Sequence, residues 1–265
     1  MKIQSKIVWI TGASAGIGKA LAEELFRKGA TVILSARNII KLNELKALLD
    51  DKEQGRCHIV PCDVTQQSSI DLAVDRVKQL TDQIDILINN AGVSQRATAL
   101  ETNLKVVRDL FEVNFFGAVA ITRSILPWMI DRGGGHIVVM SSMAGKYGFR
   151  MRSSYAASKH ALQGYFETLR AELHDKNVKV TLICPGRIKT DISINCFNGD
   201  GSLYGKMDKG QVNGVPVYKC ARIVVRAIEK EQKEVFIGAG ELFLLVVKRI
   251  CPPLYYWIVN RASPT

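Results

Sequence analysis

The sequence predicts an α/β fold, a doubly wound parallel sheet within a single domain, and three observations carry that reading. Short β-branched runs recur along the chain, segments of helical periodicity separate them at the spacing of crossover connections, and a glycine-rich turn follows the first run. Alternation of this kind implies parallel strands covered by helices on both faces. Taken in order, the runs are KIVWIT (6–11), TVILSA (31–36), CHIVPCD (57–63), IDILINN (84–90), HIVVMSS (136–142) and VKVTLIC (178–184), with KEVFIG (233–238) as a final strand. A chain of 265 residues buries one core of this size. Sheets of this type take ligands beyond the carboxyl ends of their strands, where the strand order reverses.

Composition excludes several classes. A hydrophobic fraction of 47% and a charged fraction of 23% are ordinary for a soluble globular chain, and no repeat or low-complexity tract interrupts it. The six cysteines form no CxxC pair and read as small buried hydrophobes, and the four scattered histidines make no metal-binding pattern. The net charge of +11 is uneven, with 19 basic against 10 acidic residues over 146–265. No aromatic-basic motif accompanies it, so nucleic acid is not expected as a partner; contact with an anionic lipid surface or a plain solvated basic face both fit. The opening MKIQSKIVWITG leaves no room for a signal peptide or spanning helix before the first strand.

The turn after the first run is TGASAGIG, with Gly12, Gly16 and Gly18, followed by the helical pattern GKALAEELFRKGA. Strand, glycine turn, helix is the order that brings backbone close to a pyrophosphate at a helix N-terminus, and Ser14 adds a hydroxyl. A Rossmann-like dinucleotide site follows. An acid at the end of the second strand would accept from a ribose 2′-hydroxyl, whereas here the strand ends in Ala36 and Arg37, which suits a 2′-phosphate and favours NADP(H).

Tyr155 stands one helical turn before Lys159 in SSYAASKHALQGY. Residues at i and i+4 share a helix face, and a fixed cation beside a phenol favours the phenolate. The spacing suggests an acid/base pair.

Together TGASAGIG, CDVT, NNAG, Asn114 within FEVNFFG, MSS ending at Ser142, YAASK and PGRIKT resemble the short-chain dehydrogenase/reductase family, in its order and spacing, from residue 5 to about 240. The resemblance implies a role for each match. Asp63, with Val64 alongside, would bind the adenine amino group; Asn90, Ala91 and Gly92 would pack on the adenosine side; Pro185, Gly186, Ile188 and Thr190 would close over the nicotinamide. Ile17 lies within the phosphate turn. Tyr155 would be the general acid or base, Lys159 would hold the ribose and lower the phenol's pKa, Ser142 would hydrogen-bond the substrate oxygen, and Asn114 would hold a water linking the lysine to solvent. Hydride addition to a carbonyl places charge on oxygen, so one acid, one neutral donor and a proton supply form a sensible set.

Residues 1–240 are thus expected to form the catalytic domain, with a Gly/Asn-rich substrate lid at about 187–217. Phe149, Met151, Phe197 and Tyr204 either wall an apolar pocket or pack within the loops. The tail, 241–265, is apolar and basic; Lys248, Arg249, Pro252 and Pro253 interrupt it before it reaches spanning length. Its Tyr255, Tyr256 and Trp257 beside cations suit a membrane interface, a contact with a second copy or packing on the core. With WITGAS and VILSARN, the tail resembles the group of the family called member seven, which is often membrane-associated. The expected function is interconversion of a carbonyl and a secondary alcohol on an apolar, steroid-, retinoid- or lipid-like small molecule. The expected setting is an intracellular homo-oligomer, dimer or tetramer, in the cytoplasm or attached peripherally to the endoplasmic reticulum membrane. A cofactor-binding scaffold with vestigial chemistry is the alternative, and retention of all four site residues argues against it.

Overall fold

In the computed structural model, which describes residues 1–50, 55–238 and 240–261, all seven expected strands form. The first half runs β1 (Ile7–Thr11), α1 (Gly16–Arg27), β2 (Thr31–Ser35), α2 (Ile39–Leu49), β3 (Cys57–Ile59), α3 (Gln67–Leu80), β4 (Ile86–Asn89), α4 (Leu104–Phe111), α5 (Gly117–Asp131) and β5 (Gly135–Met140). The second half runs α6 (Ser153–Glu172), β6 (Val178–Pro185), β7 (Ile188–Lys189), α7 (Lys209–Val212), β8 (Val215–Pro216), α8 (Val217–Glu229), β9 (Glu234–Ile237), α9 (Gly240–Ile250) and α10 (Pro252–Arg261).

The main sheet has the order β3-β2-β1-β4-β5-β6-β9, and every pairing is parallel. The order reverses between β1 and β4, which opens the crevice where such sheets bind ligands. Alternation along β1 divides the core in two. Val8 and Ile10 face α1 and α8 through Leu21, Leu25, Val224 and Ile228, while Trp9 faces the opposite layer with Ile125 and Phe166. Trp9 is fully buried yet donates its indole N–H to Ser35 Oγ at 2.8 Å, so its one polar atom is satisfied.

Residues Leu104–Asp131 run as one helix of 28 residues through α4, a π turn at Glu112–Phe116, and α5. With an 18-residue stretch of mean hydropathy 1.4, it is long and apolar enough to cross a membrane by length and composition. Its Ile121, Ile125 and Met129, however, belong to the second core layer, which makes it a structural helix of the sheet sandwich.

Two regions add detail to the sequence expectation. The lid is not a bare loop: β7 pairs with β8, and Phe197 bridges to Gln95 and Leu203, so the stretch is tied to the segment after β4. The tail forms two short helices, and Val247 and Tyr255 pack with Met143 and Tyr147 in a small third cluster. Tyr255 donates to Gly148 O at 2.6 Å, and Lys248 Nζ to Lys146 O at 2.7 Å. All six cysteines are free; five are buried as expected, while Cys251 is exposed between α9 and α10.

Candidate active site

At the crevice, β1 ends in Thr11 and the chain turns sharply at Gly12, whose φ of +65° is the left-handed region. A Cβ there would stand 2.8 Å from Ala91 Cα, so only glycine lets the turn lie against the loop after β4. That loop is bonded to the turn. Asn90 Nδ2 donates to Thr11 O at 3.0 Å and Gly12 O at 3.1 Å, and Thr11 Oγ1 accepts from the amides of Asn90 and Ala91. Gly18 lies beneath, outside the cavity lining; a Cβ on it would meet Gly12 O at 2.3 Å. Its task is close packing of α1 on the turn. No side chain caps the N-terminus of α1, where Ala15 occupies the cap position, so first-turn N–H groups are open to a ligand.

Gly12, Ser14, Gly16 and Ile17 line one end of a cavity of about 560 Å³. Arg37, Asp63 and Val64 line it further along, followed by Asn90, Ala91 and Gly92. Arg37 is exposed and no described residue pairs with it, leaving its guanidinium free for an anion. Asp63 Oδ1 accepts from Thr65 N and Thr65 Oγ1 at 3.0 and 2.8 Å, which holds the carboxylate at the rim. An open helix N-terminus, a glycine turn and an arginine just past β2 that no described residue pairs with fit the phosphates of a dinucleotide.

The far end of the cavity holds Ser142, Tyr155, Lys159, Pro185, Gly186, Ile188 and Thr190. Tyr155 and Lys159 share the first turns of α6, with the ammonium 5.9 Å from the centre of the phenol ring. Lys159 is buried and donates to Met140 O at 2.8 Å, and burial pushes its pKa down to about 8. Tyr155 shifts opposite to the expected direction. Burial holds its pKa above the ordinary phenol value, outweighing the hydrogen bond with Ser142 and the cation of Arg152, both of which lower it. Ser142 Oγ also donates to Pro185 O at 3.2 Å and accepts from Ala144 N at 3.1 Å, so the strand end fixes the hydroxyl.

Asn114 does not line the cavity. It lies in the π turn, a feature that recurs at functional sites. Its Oδ1 accepts from Val93 N at 2.8 Å, and its Nδ2 donates to Val93 O and Ser158 Oγ, both at 3.0 Å. The side chain thereby joins the loop after β4 to α6 one residue before Lys159. Gly92 lies close to this side chain, since a Cβ there would stand 3.2 Å from Asn114 Oδ1.

Of the four pocket-wall candidates only Phe149 lines the cavity. Phe197 is held in the lid's bridges and Tyr204 lies under the Arg96 guanidinium at 5.0 Å, so both pack within the loops. Met151 adopts φ +63° and accepts from Ala97 N at 3.3 Å. The apolar wall comes instead from Met143 and Tyr147 after β5, and from Leu244 and Val259 of the tail. Sequence reasoning missed these, together with Arg152, Asp208 and Glu241. Arg152 carries a readable signal, being a charged residue placed directly before the SSY that opens α6.

Fold and crevice together define an oxidoreductase of the Rossmann type. The family model for short chain dehydrogenases matches residues 6–200. A Danio rerio protein named dehydrogenase/reductase SDR family member 7B is 40% identical over 97% of this chain and 85% of its own length. A Drosophila melanogaster protein named dehydrogenase/reductase SDR family protein 7-like is 38% identical over 99% and 82%. Among solved structures, a short chain dehydrogenase from Burkholderia cenocepacia in complex with NADP superposes with a TM-score of 0.80 at 27% identity, covering 100% of both chains. The chain belongs to the short-chain dehydrogenase/reductase family.

Proposed function

We propose that the protein is an NADP(H)-dependent reductase, or the reverse dehydrogenase, acting on an apolar steroid-, retinoid- or lipid-like carbonyl or secondary alcohol. The observation that carries this reading is the convergence of the glycine turn, Arg37, Ser142, Tyr155 and Lys159 on one cavity, to which Met143, Tyr147, Phe149, Leu244 and Val259 add apolar surface among charged groups. The dinucleotide, when bound, supplies the hydride. Tyr155 gives its hydroxyl proton to the substrate oxygen in reduction and takes it back in oxidation. Ser142 donates to the same oxygen as charge grows on it. Lys159 holds ribose hydroxyls and, near pKa 8, exchanges protons readily at neutral pH. Asn114 acts by fixing the Val93 loop against α6.

A panel of steroid, retinoid and simple carbonyl compounds, followed by NADPH or NADH oxidation, tests the assignment. Turnover with NADPH is expected on an apolar member, and Arg37→Asp is expected to reverse the preference by removing the phosphate's partner. No turnover across the panel, or an unchanged NADPH to NADH ratio in the variant, refutes the respective part.

The tail supports attachment to a membrane surface, in keeping with residence at the endoplasmic reticulum or in the cytoplasm. Phe243, Val246, Ile250 and Trp257 are exposed, with Arg249 and Arg261 among them. Flotation with anionic liposomes is expected for the full chain and reduced by Phe243→Ser/Trp257→Ser; equal flotation of both refutes it. Leu104 and Phe116, exposed on the long helix, support a homo-oligomer, and a monomer in sedimentation velocity would exclude it.

A further inference from the structure

The lid is fastened to the catalytic helix by a buried charge cluster. Asp208, 9% exposed, lies at the lid's distal end. Its Oδ1 pairs with Arg96 Nη1 at 2.7 Å and its Oδ2 with Arg152 Nη2 at 2.8 Å. Arg152 Nη1 in turn donates to Ser94 Oγ at 2.9 Å and Gln95 O at 2.7 Å. The loop after β4, the lid and the start of α6 therefore meet at one carboxylate. Arg152 is the residue before α6, three positions ahead of Tyr155; its carbonyl accepts from Ala156 N at 2.7 Å, and its cation lies close enough to act on the phenol. Arg152, Asp208 and Tyr155 all line the same cavity.

We propose that Asp208 and Arg152 are a positioning pair through which the lid governs the phenol of Tyr155. Seating Asp208 fixes the guanidinium beside the phenol and offsets its charge; releasing Asp208 leaves the cation unopposed. The proposal rests on the reading of Tyr155 as the proton donor. Its physical content is simple. An unopposed cation favours phenolate, and a neutralised one favours the protonated phenol that reduction requires. Other charged groups face the same end of the cavity: Lys159 from α6 itself, Arg150 from the loop before it, Arg187 and Asp191 after β6, and Glu241 from α9. Arg96 stands behind Asp208. Of these, only Asp208 bonds Arg152, and Arg152 is the one cation besides Lys159 fixed on the phenol's own helix start.

The test titrates the phenol directly in the full chain, without substrate. Incorporating 3-fluorotyrosine, which ionises at lower pH than tyrosine, brings the titration into the range of the folded protein. The Tyr155 signal in the ¹⁹F NMR spectrum is assigned by its loss in Tyr155→Phe. Arg152→Gln is expected to move the midpoint to higher pH, and Asp208→Asn to lower pH. Arg152→Lys should remain nearer the wild type than Arg152→Gln, and the double variant Arg152→Gln/Asp208→Asn should fall between the two single ones. A lid merely loosened would admit water and move both single variants downward, which overturns the proposal, as does an unmoved midpoint in Arg152→Gln. If the phenol responds as stated but Tyr155→Phe retains turnover, the coupling stands and the role of Tyr155 as proton donor falls.

Discussion

Replacing Tyr155 with phenylalanine is expected to lower turnover by about 10³-fold while leaving dinucleotide affinity unchanged, because a positioned acid contributes roughly 10²–10⁴ to such reactions. The change removes one oxygen and keeps the ring. Nothing in the packing of α6 depends on that oxygen, whereas Ser142 loses the group with which it shares a hydrogen bond. Ser142 alone cannot replace the acid, since an aliphatic hydroxyl can donate a hydrogen bond but is far less acidic than a phenol. Stopped-flow measurement of the hydride step, with fluorescence titration of NADPH, checks both halves. Turnover within about tenfold of the wild type would place the proton donor elsewhere.

Lys159→Met is expected to stabilise the cofactor-free fold while lowering turnover by about 10²-fold, within the range assigned to such groups. Lys159 is 4% exposed with a pKa of about 8 in the folded chain, below its ordinary 10.5. Below pH 8 both folded and unfolded chains carry the charge, and the folded state bears the full penalty of burying it. Between pH 8 and 10.5 the folded chain sheds the proton first, so stability rises with pH across that window by about 3 kcal/mol. Methionine removes the penalty at every pH, less about 1 kcal/mol for the donor lost to Met140 O. A gain of about 2 kcal/mol at pH 7 corresponds to roughly 5 °C in Tm. Differential scanning calorimetry at pH 7 and 10 decides: the gain should shrink at the higher pH, and an equal gain at both would dissociate it from ionisation.

The sheet was legible because its central strands are buried along most of their length and read as near-continuous apolar runs; IVWIT and, past the exposed Lys179, VTLICP carry that signal. The glycine turn was legible for a related reason, since positive φ at Gly12 and the close approach at Gly18 leave no other residue type. Tyr155 and Lys159 lie within a single helix turn, so their shared face can be read from spacing, while the acid/base role expected of them comes from the family resemblance. What escaped depends on contacts between remote segments. Asp208 meets Arg96 across 112 positions and Arg152 across 56, and no local pattern encodes such a meeting. The π turn at Asn114 is equally silent, because one extra residue in a helical turn leaves the apolar periodicity almost unchanged. The upward shift of Tyr155 is not legible because neighbouring charge can be read from sequence, whereas burial is a property of the assembled cavity.

Leu244 and Val259 bring the two last helices to the cavity wall, while every group assigned to proton transfer comes from residues before 160. Part of the cavity wall is thus written in a stretch of polypeptide apart from the proposed reaction residues. Exchange of the last two helices, from Gly240 onward, is expected to retune which molecules are accepted with little effect on hydrogen transfer, giving evolution a dial for selectivity that leaves the engine alone.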